Sequence, residues 1–269
     1  MLVSRFVPKK YLSRILKILS FKDLCKTSIP KFQLFNSIVR NRYIERDGFT
    51  LSNYGVWLAN HKGDKTFKLA VMGYRNNLDK ILKSVDTEMI FVDIGANQGV
   101  FSLIAALNKN FLEIHAFEPN KLIIQFLRRN LDFNYVDRFF VHEYALSTQN
   151  KKINFNVPKN HSGAGAIGEQ GSGIEVDAVN RSYVNQVFGD LDLTYFLKVD
   201  VEGSEYMVLL EMFNSNIASK ITHVFVEINQ KYENYENLTL ELLKNMGFKE
   251  RYKKRNLNSY DAFFVREVA

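Results

Sequence analysis

Phe91-Val92-Asp93-Ile94-Gly95-Ala96-Asn97-Gln98-Gly99-Val100-Phe101-Ser102 reads as a buried strand that breaks into a helix through a glycine turn. Ile90, Phe91 and Val92 supply the unbroken apolar run of a strand covered on both faces. Gly95 and Gly99 bracket a turn where the backbone bends sharply and lets a ligand come close. The apolar helix from Val100 to Leu107 directs its free N–H groups at that turn, a ready site for an anionic group. Asp93 at the strand tip and Asn97 in the loop add a charged and a neutral hydrogen-bonding side chain. The turn suits a ligand that carries both a carboxylate and an ammonium.

A glycine turn alone is often steric. Here a second strand, Ile114 to Phe117, ends at Glu118 and Pro119, roughly 20 residues after Gly99. One carboxylate in that place can chelate the two adjacent hydroxyls of a ribose. Alone, Glu118 would read as a solvated acid at a strand end; following the glycine turn, it points to a nucleoside.

A third chemical stretch is Tyr195 to Glu205, Y-F-L-K-V-D-V-E-G-S-E. Asp200 falls at the C-terminal tip of its strand, the edge where open α/β sheets bind ligands. Glu202 follows in the turn and Glu205 at the helix start, and Glu227 lies near the tip of the next strand, Ile221 to Ile228. Crowded carboxylates hold protons more tightly, which suits a general base, so Asp200, Glu202, Glu205 and Glu227 are catalytic candidates. The same oxygens could hold Mg²⁺, a hard ion, although nothing in the spacing calls for a metal. Glu205 could equally serve the helix N-terminus, and Glu202 could be solvated.

Asp93 to Ser102, A-F-E-P-N at 116–120, A-L-S at 145–147 and K-V-D-V-E-G-S-E at 198–205 together resemble the FkbM-type methyltransferases in order and spacing, from about Tyr54 to the C-terminus. The resemblance implies S-adenosylmethionine-dependent O-methylation on a Rossmann-like, seven-stranded, mostly parallel sheet of the class I methyltransferase kind. It implies that Asp93, Gly95, Ala96, Asn97 and Gly99 hold the methionine end of the cofactor. Glu118, with Pro119 and Asn120, would hold the ribose; Ala145 would lie by the adenine, and Asp200 would border both cofactor and acceptor. Relatives modify glycans and natural products, so the expected acceptor is a hydroxyl of a sugar, glycan or glycosylated metabolite. The chain departs from the family at Gly73-Tyr74, where an expected acid is replaced by Arg75 or Asn76, and at Val179-Asn180, where relatives carry Leu-Asp.

The formal net charge of +7 sits wholly in residues 1–31, where eight Lys/Arg face one acid. The remaining 28 basic and 28 acidic residues cancel, which argues against an extended nucleic-acid surface. Within 1–31, Leu12, Ile15, Leu16 and Leu19 share one helical face with the basic side chains mostly off it. Such a helix can lie on an anionic membrane surface, or pack on its own domain or a partner. One cysteine, Cys25, excludes an internal disulfide and fits a reducing, cytoplasmic setting, whether free or peripheral at the inner membrane surface. Apolar runs fall short of a membrane span.

These readings divide the chain into the basic segment 1–31, a pre-domain cap 32–86 and a cofactor-binding domain 87–269. His161, in a glycine-rich loop over 161–173, could act as a base or be an exposed loop residue. The closing hairpin, Phe248–Lys253 and Tyr260–Val265, separates this pattern from its nearest rival, a nicotinamide-dependent oxidoreductase. That rival would more often continue in parallel units and would need a third glycine in G-x-G-x-x-G. A non-catalytic methyltransferase-like scaffold is the other alternative.

Overall fold

The computed structural model describes residues 44–74, 76–168, 173–189, 192–230 and 233–267. The basic segment 1–31 lies outside the described residues. Glu45–Ala269 forms one compact unit. From Glu45 on, therefore, the 32–86 stretch shares its core with the domain that follows and is not a body of its own.

The chain opens with three short antiparallel strands, β1 (Glu45–Arg46), β2 (Phe49–Leu51) and β3 (Trp57–Ala59), then helices α1 (Lys65–Met72) and α2 (Leu78–Ser84). Next come β4 (Met89–Ile94), α3 (Val100–Ala106), β5 (Phe111–Phe117), α4 (Lys121–Phe133) and β6 (Phe139–His142). A smaller sheet follows, made of β7 (Ala145–Leu146), β8 (Lys151–Asn156), β9 (Ala166–Ile167) and β10 (Ile174–Val179). The chain then returns through α5 (Arg181–Phe188), β11 (Thr194–Val199), α6 (Glu205–Phe213), β12 (Ile221–Asn229), α7 (Glu233–Asn245), β13 (Phe248–Arg255) and β14 (Ser259–Arg266).

The main sheet has seven strands in the order β13-β14-β12-β11-β4-β5-β6, parallel except where β14 runs against β12 and β13. This is the Rossmann-like sheet of the class I methyltransferases. After β6 the chain returns to the other side of β4, so the connections leaving the neighbouring tips of β4 and β11 run to opposite sides of the sheet, a topological switch point, where such sheets bind ligands.

The β4 run is buried throughout because both of its faces are covered. Ile90, Val92 and Ile94 pack with Phe188 of α5 and Val208, Leu209 and Met212 of α6. Phe91 packs the other way, with Leu78 and Leu82 of α2, Leu103 and Ile104 of α3 and Leu127 of α4. The alternation is the two-residue period of a strand. Two amides, one in the last turn of α4 and one at its C-terminal cap, fasten the N-terminal strands to it. Asn130 accepts from the Ala59 N–H at 2.6 Å and donates to the Gln98 carbonyl at 2.7 Å, and Asn134 brackets Trp57 through its N–H and C=O.

The run Phe139 to Leu146 reads as one strand, but its backbone partner changes at Glu143–Tyr144. β6 pairs with β5, whereas β7 pairs in parallel with β10 in the smaller sheet. Among the described residues no helix is long and apolar enough to cross a membrane.

Candidate active site

A cleft of about 320 Å³ opens at the C-terminal edge of the main sheet, at the lower end of the roughly 300–1,000 Å³ usual for small-molecule sites. Its floor is the glycine turn. Gly95 adopts φ +79°, and the N–H groups of Gly95 and Ala96 both donate to the Phe117 carbonyl at 3.0 Å. A Cβ at Gly95 would stand 1.9 Å from the carbonyl oxygen of Asp200, so only glycine lets the tips of β4 and β11 come this close. Gly99, at φ +78°, does different work: a Cβ there would meet Leu127 Cδ1 at 2.3 Å, so its role is to seat α4, and it does not line the cleft.

Glu118 turns into the cleft beside Pro119 and the turn residues Ala96 and Asn97. Its Oε2 accepts the Asn97 N–H and its Oε1 the Asn120 N–H, both at 2.9 Å. Burial lifts its carboxyl to about 7 against the pull of those two hydrogen bonds. Asn120 itself lies behind the wall, where its side chain caps α4 by accepting the Leu122 N–H. Phe117, Tyr144, Ala145 and Leu146 line the cleft beyond Glu118.

Asp93 is not in the cleft. It lies beneath the turn, fully buried, with Oδ2 accepting from Ser102 Oγ at 2.6 Å and Oδ1 3.1 Å from Lys198 Nζ. The expected direct contact between Asp93 and a ligand is replaced by support from below. Strand alternation points Asp93 to the same face as Phe91, where the helix layer covers it. Lys198 also donates to the Gly95 carbonyl at 2.7 Å and reaches Asp200 at 3.6 Å, so one ammonium ties the turn to both strand tips. Its charge was legible as a lysine inside the apolar run Tyr195–Val199; its partners were not.

Asp200, Glu202 and Glu227 line the opposite end of the cleft, together with Asp261, Asn256 and Lys254 from the closing hairpin. Glu227 is lifted well above the ordinary carboxyl range, first by the charge of Asp200 and then by burial. Its Oε1 accepts from Ser259 Oγ at 2.6 Å. Asp261 is also raised, mainly by burial, while a hydrogen bond from Asn256 Nδ2 at 3.1 Å works against the shift. Glu205, expected beside these acids, turns back into its own loop. Its Oε1 accepts the Gly203 N–H at 2.8 Å, burial raises it to about 7, and it does not line the cleft. Its carboxylate holds the α6 entry turn, where Glu202 adopts φ +55°. Among the described residues no group of three or more His, Cys, Asp or Glu has metal-binding geometry.

The roof comes from α1 and the glycine-rich loop. Asp64 caps α1 through the Phe67 N–H and also accepts from the Ser162 N–H at 2.8 Å and Ser162 Oγ at 3.1 Å. Ser162 Oγ reaches Asn97 Oδ1 at 3.3 Å, so the roof touches the floor turn. His161 lines the cleft from this loop, and Tyr74 lines it from the end of α1. Asp261, Ser162 and Lys198 carry no signal of their roles in the sequence, because those roles depend on partners 34, 98 and 105 residues away: Glu227, Asp64 and Asp93.

Residues 93–251 match the family described as the methyltransferase FkbM domain. No curated protein sequence matches the chain. Solved structures with a similar arrangement include Trm5b from Pyrococcus abyssi, with TM-score 0.45 and 14% identity over 82% of this chain. This chain spans 56% of that one. An rRNA methylase from Streptococcus thermophilus gives 0.45 and 10%, over 71% of this chain and 93% of that one. TrmK from M. capricolum, in complex with S-adenosyl-homocysteine, gives 0.42 and 12%, over 72% and 68%.

Proposed function

This chain belongs to the FkbM methyltransferase family, and on that premise we propose that it is an S-adenosylmethionine-dependent O-methyltransferase acting on a hydroxyl of a sugar, glycan or glycosylated metabolite. The observation that carries the reading is that Glu118 and Asp200 line one cleft from either side of the Gly95 turn. A nucleoside and an amino-acid end both find partners there. Glu118 would meet the ribose, Ala145 and its neighbours the base, and Ala96 and Asn97 the methionine end. When bound, the cofactor supplies a methyl group already activated on a sulfonium.

What remains for the protein is alignment and removal of one proton. An acceptor hydroxyl would lie against the Asp200–Glu227 pair, which takes its proton as the oxygen attacks. Lys198 holds Asp200 from beneath, and Tyr74 and the loop at Ser162 line the cleft above it. The mainly acidic lining of this end disfavours a phosphate backbone, which supports a polyhydroxyl acceptor over a nucleic acid.

Calorimetric titration with S-adenosylhomocysteine tests the cofactor, and labelled S-adenosylmethionine offered to fractionated host glycans, lipids and metabolites tests the acceptor. Absence of binding removes the cofactor assignment. Label confined to nucleic acid or protein removes the substrate class alone.

A further inference from the structure

We propose that Glu227 stores a proton while the cleft is free of cofactor and releases it when a sulfonium binds, so that cofactor binding itself creates the base beside the methyl donor. The inference rests on the cofactor reading above and adds the state of one residue to it.

The geometry is a carboxyl boxed in by carboxylates. Glu227 is the in-register partner of Asp261 across β12 and β14, so the two side chains leave the sheet side by side. Asp200 stands at the neighbouring tip of β11, and Glu202 follows in the turn; all four line the same cleft. Of the cations nearby, Lys198 is engaged by Asp93, Asp200 and the Gly95 carbonyl, while Lys254 is the in-register neighbour of Asp261 on β13. The other facing groups, Ser259 on β14, Asn256 in the hairpin, and Tyr74 and Asn76 beyond α1, are neutral.

Like charges so close cannot all ionise, and the group with the most acidic neighbours keeps its proton. A cation arriving within ~4–6 Å reverses that balance and moves a carboxyl titration by ~1–3 pH units. The proton leaves to solvent. During transfer the C–S bond breaks, the O–C bond forms, the hydroxyl proton passes to the Glu227 carboxylate, and sulfur becomes a neutral thioether. Glu227 is then protonated again beside an uncharged product, as at the start.

The test counts protons by isothermal calorimetry at pH 7 in two buffers of different ionisation enthalpy, with S-adenosylmethionine and S-adenosylhomocysteine as ligands. They share ribose, base and amino-acid end, so any proton moved at Glu118 cancels. S-adenosylmethionine is expected to release more protons than S-adenosylhomocysteine, by up to ~1. Glu227→Gln should bind both and lose the difference; Asp200→Asn, which removes the charge that holds the proton in place, should shrink it. Equal proton counts for two ligands that both bind overturn the inference and spare the cofactor. A difference that survives Glu227→Gln places the proton elsewhere and also overturns it. Binding of neither ligand removes the cofactor reading and this inference together.

Discussion

Lys198 is the in-register neighbour of Asp93 across β11 and β4, and its ammonium lies 3.1 Å from the Asp93 carboxylate with both side chains buried. Removing one partner of such a pair leaves an uncompensated charge in the core, at a cost of about 3–5 kcal/mol. Lys198→Met should therefore lower unfolding stability by that amount in urea titrations. Asp93→Asn combined with Lys198→Met should lose clearly less than the two single losses added together, because no lone charge remains. Additive losses would show that the ion pair does not couple the strands.

Gly95→Ala places a methyl on the Asp200 carbonyl in a left-handed turn, and the combined clash and backbone strain should cost about 2–5 kcal/mol. The melting temperature should fall, and affinity for S-adenosylhomocysteine with it. Gly99→Ala meets only the end of the Leu127 side chain, which can swing away, so it should cost less. The reverse order would contradict the geometry of the turn.

Glu118 accepts two backbone N–H groups with its two oxygens, whereas a glutamine there offers one oxygen and turns an NH₂ toward the other donor. Glu118→Gln should weaken S-adenosylhomocysteine binding by about 10–100-fold, the worth of one or two charge-assisted hydrogen bonds. Calorimetry decides it. An affinity within twofold of the parent would remove Glu118 from the ribose contact.

A relay through two buried histidines joins Glu113, His115, His142 and Tyr183 by contacts of 3.0, 3.0 and 2.9 Å. Burial lowers His115 from 6.5 to about 4, and burial with the neighbouring His115 lowers His142 to about 3. The unfolded chain takes up these protons first. Their contribution is thus complete above pH 6.5 and is lost as pH falls toward 4 and then 3. Glu118 and Glu205, raised from 4.5 to about 7, act with the opposite sign and cost stability as pH rises through that window. The double variant His115→Asn, His142→Asn isolates the first effect. Its melting temperature should approach or pass that of the parent on acidification from pH 7 to 4, and a constant gap would refute the assignment.

Asp64 carries both the α1 cap and the hold on Ser162, so Asp64→Ala should cost about 1–2 kcal/mol and free the loop that roofs the cleft. Limited trypsin digestion should then cut faster after Lys159 in the variant. An unchanged cleavage rate would mean that other contacts hold the loop.

Several parts of this protein depend only on neighbours along the chain. The apolar run of β4, the glycine turn after it, the acid closing β5 and the D-V-E-G tip of β11 are each local, and each occupies the place its pattern demands. Local pattern also fixed the order of those parts, and with it the class of sheet and the family.

Tertiary structure alone decided which polar groups face the cleft. Asp93 and Glu205 look as reactive in sequence as Asp200, yet one is neutralised under the turn by Lys198 and the other is spent on its own loop. Asp261 and Ser162, silent in sequence, reach the cleft because β14 pairs with β12 and because Asp64 draws the loop inward. A side chain's charge is written in the chain; its solvation and its counter-charge are set by strands and loops that only folding brings beside it, and those set what it can do.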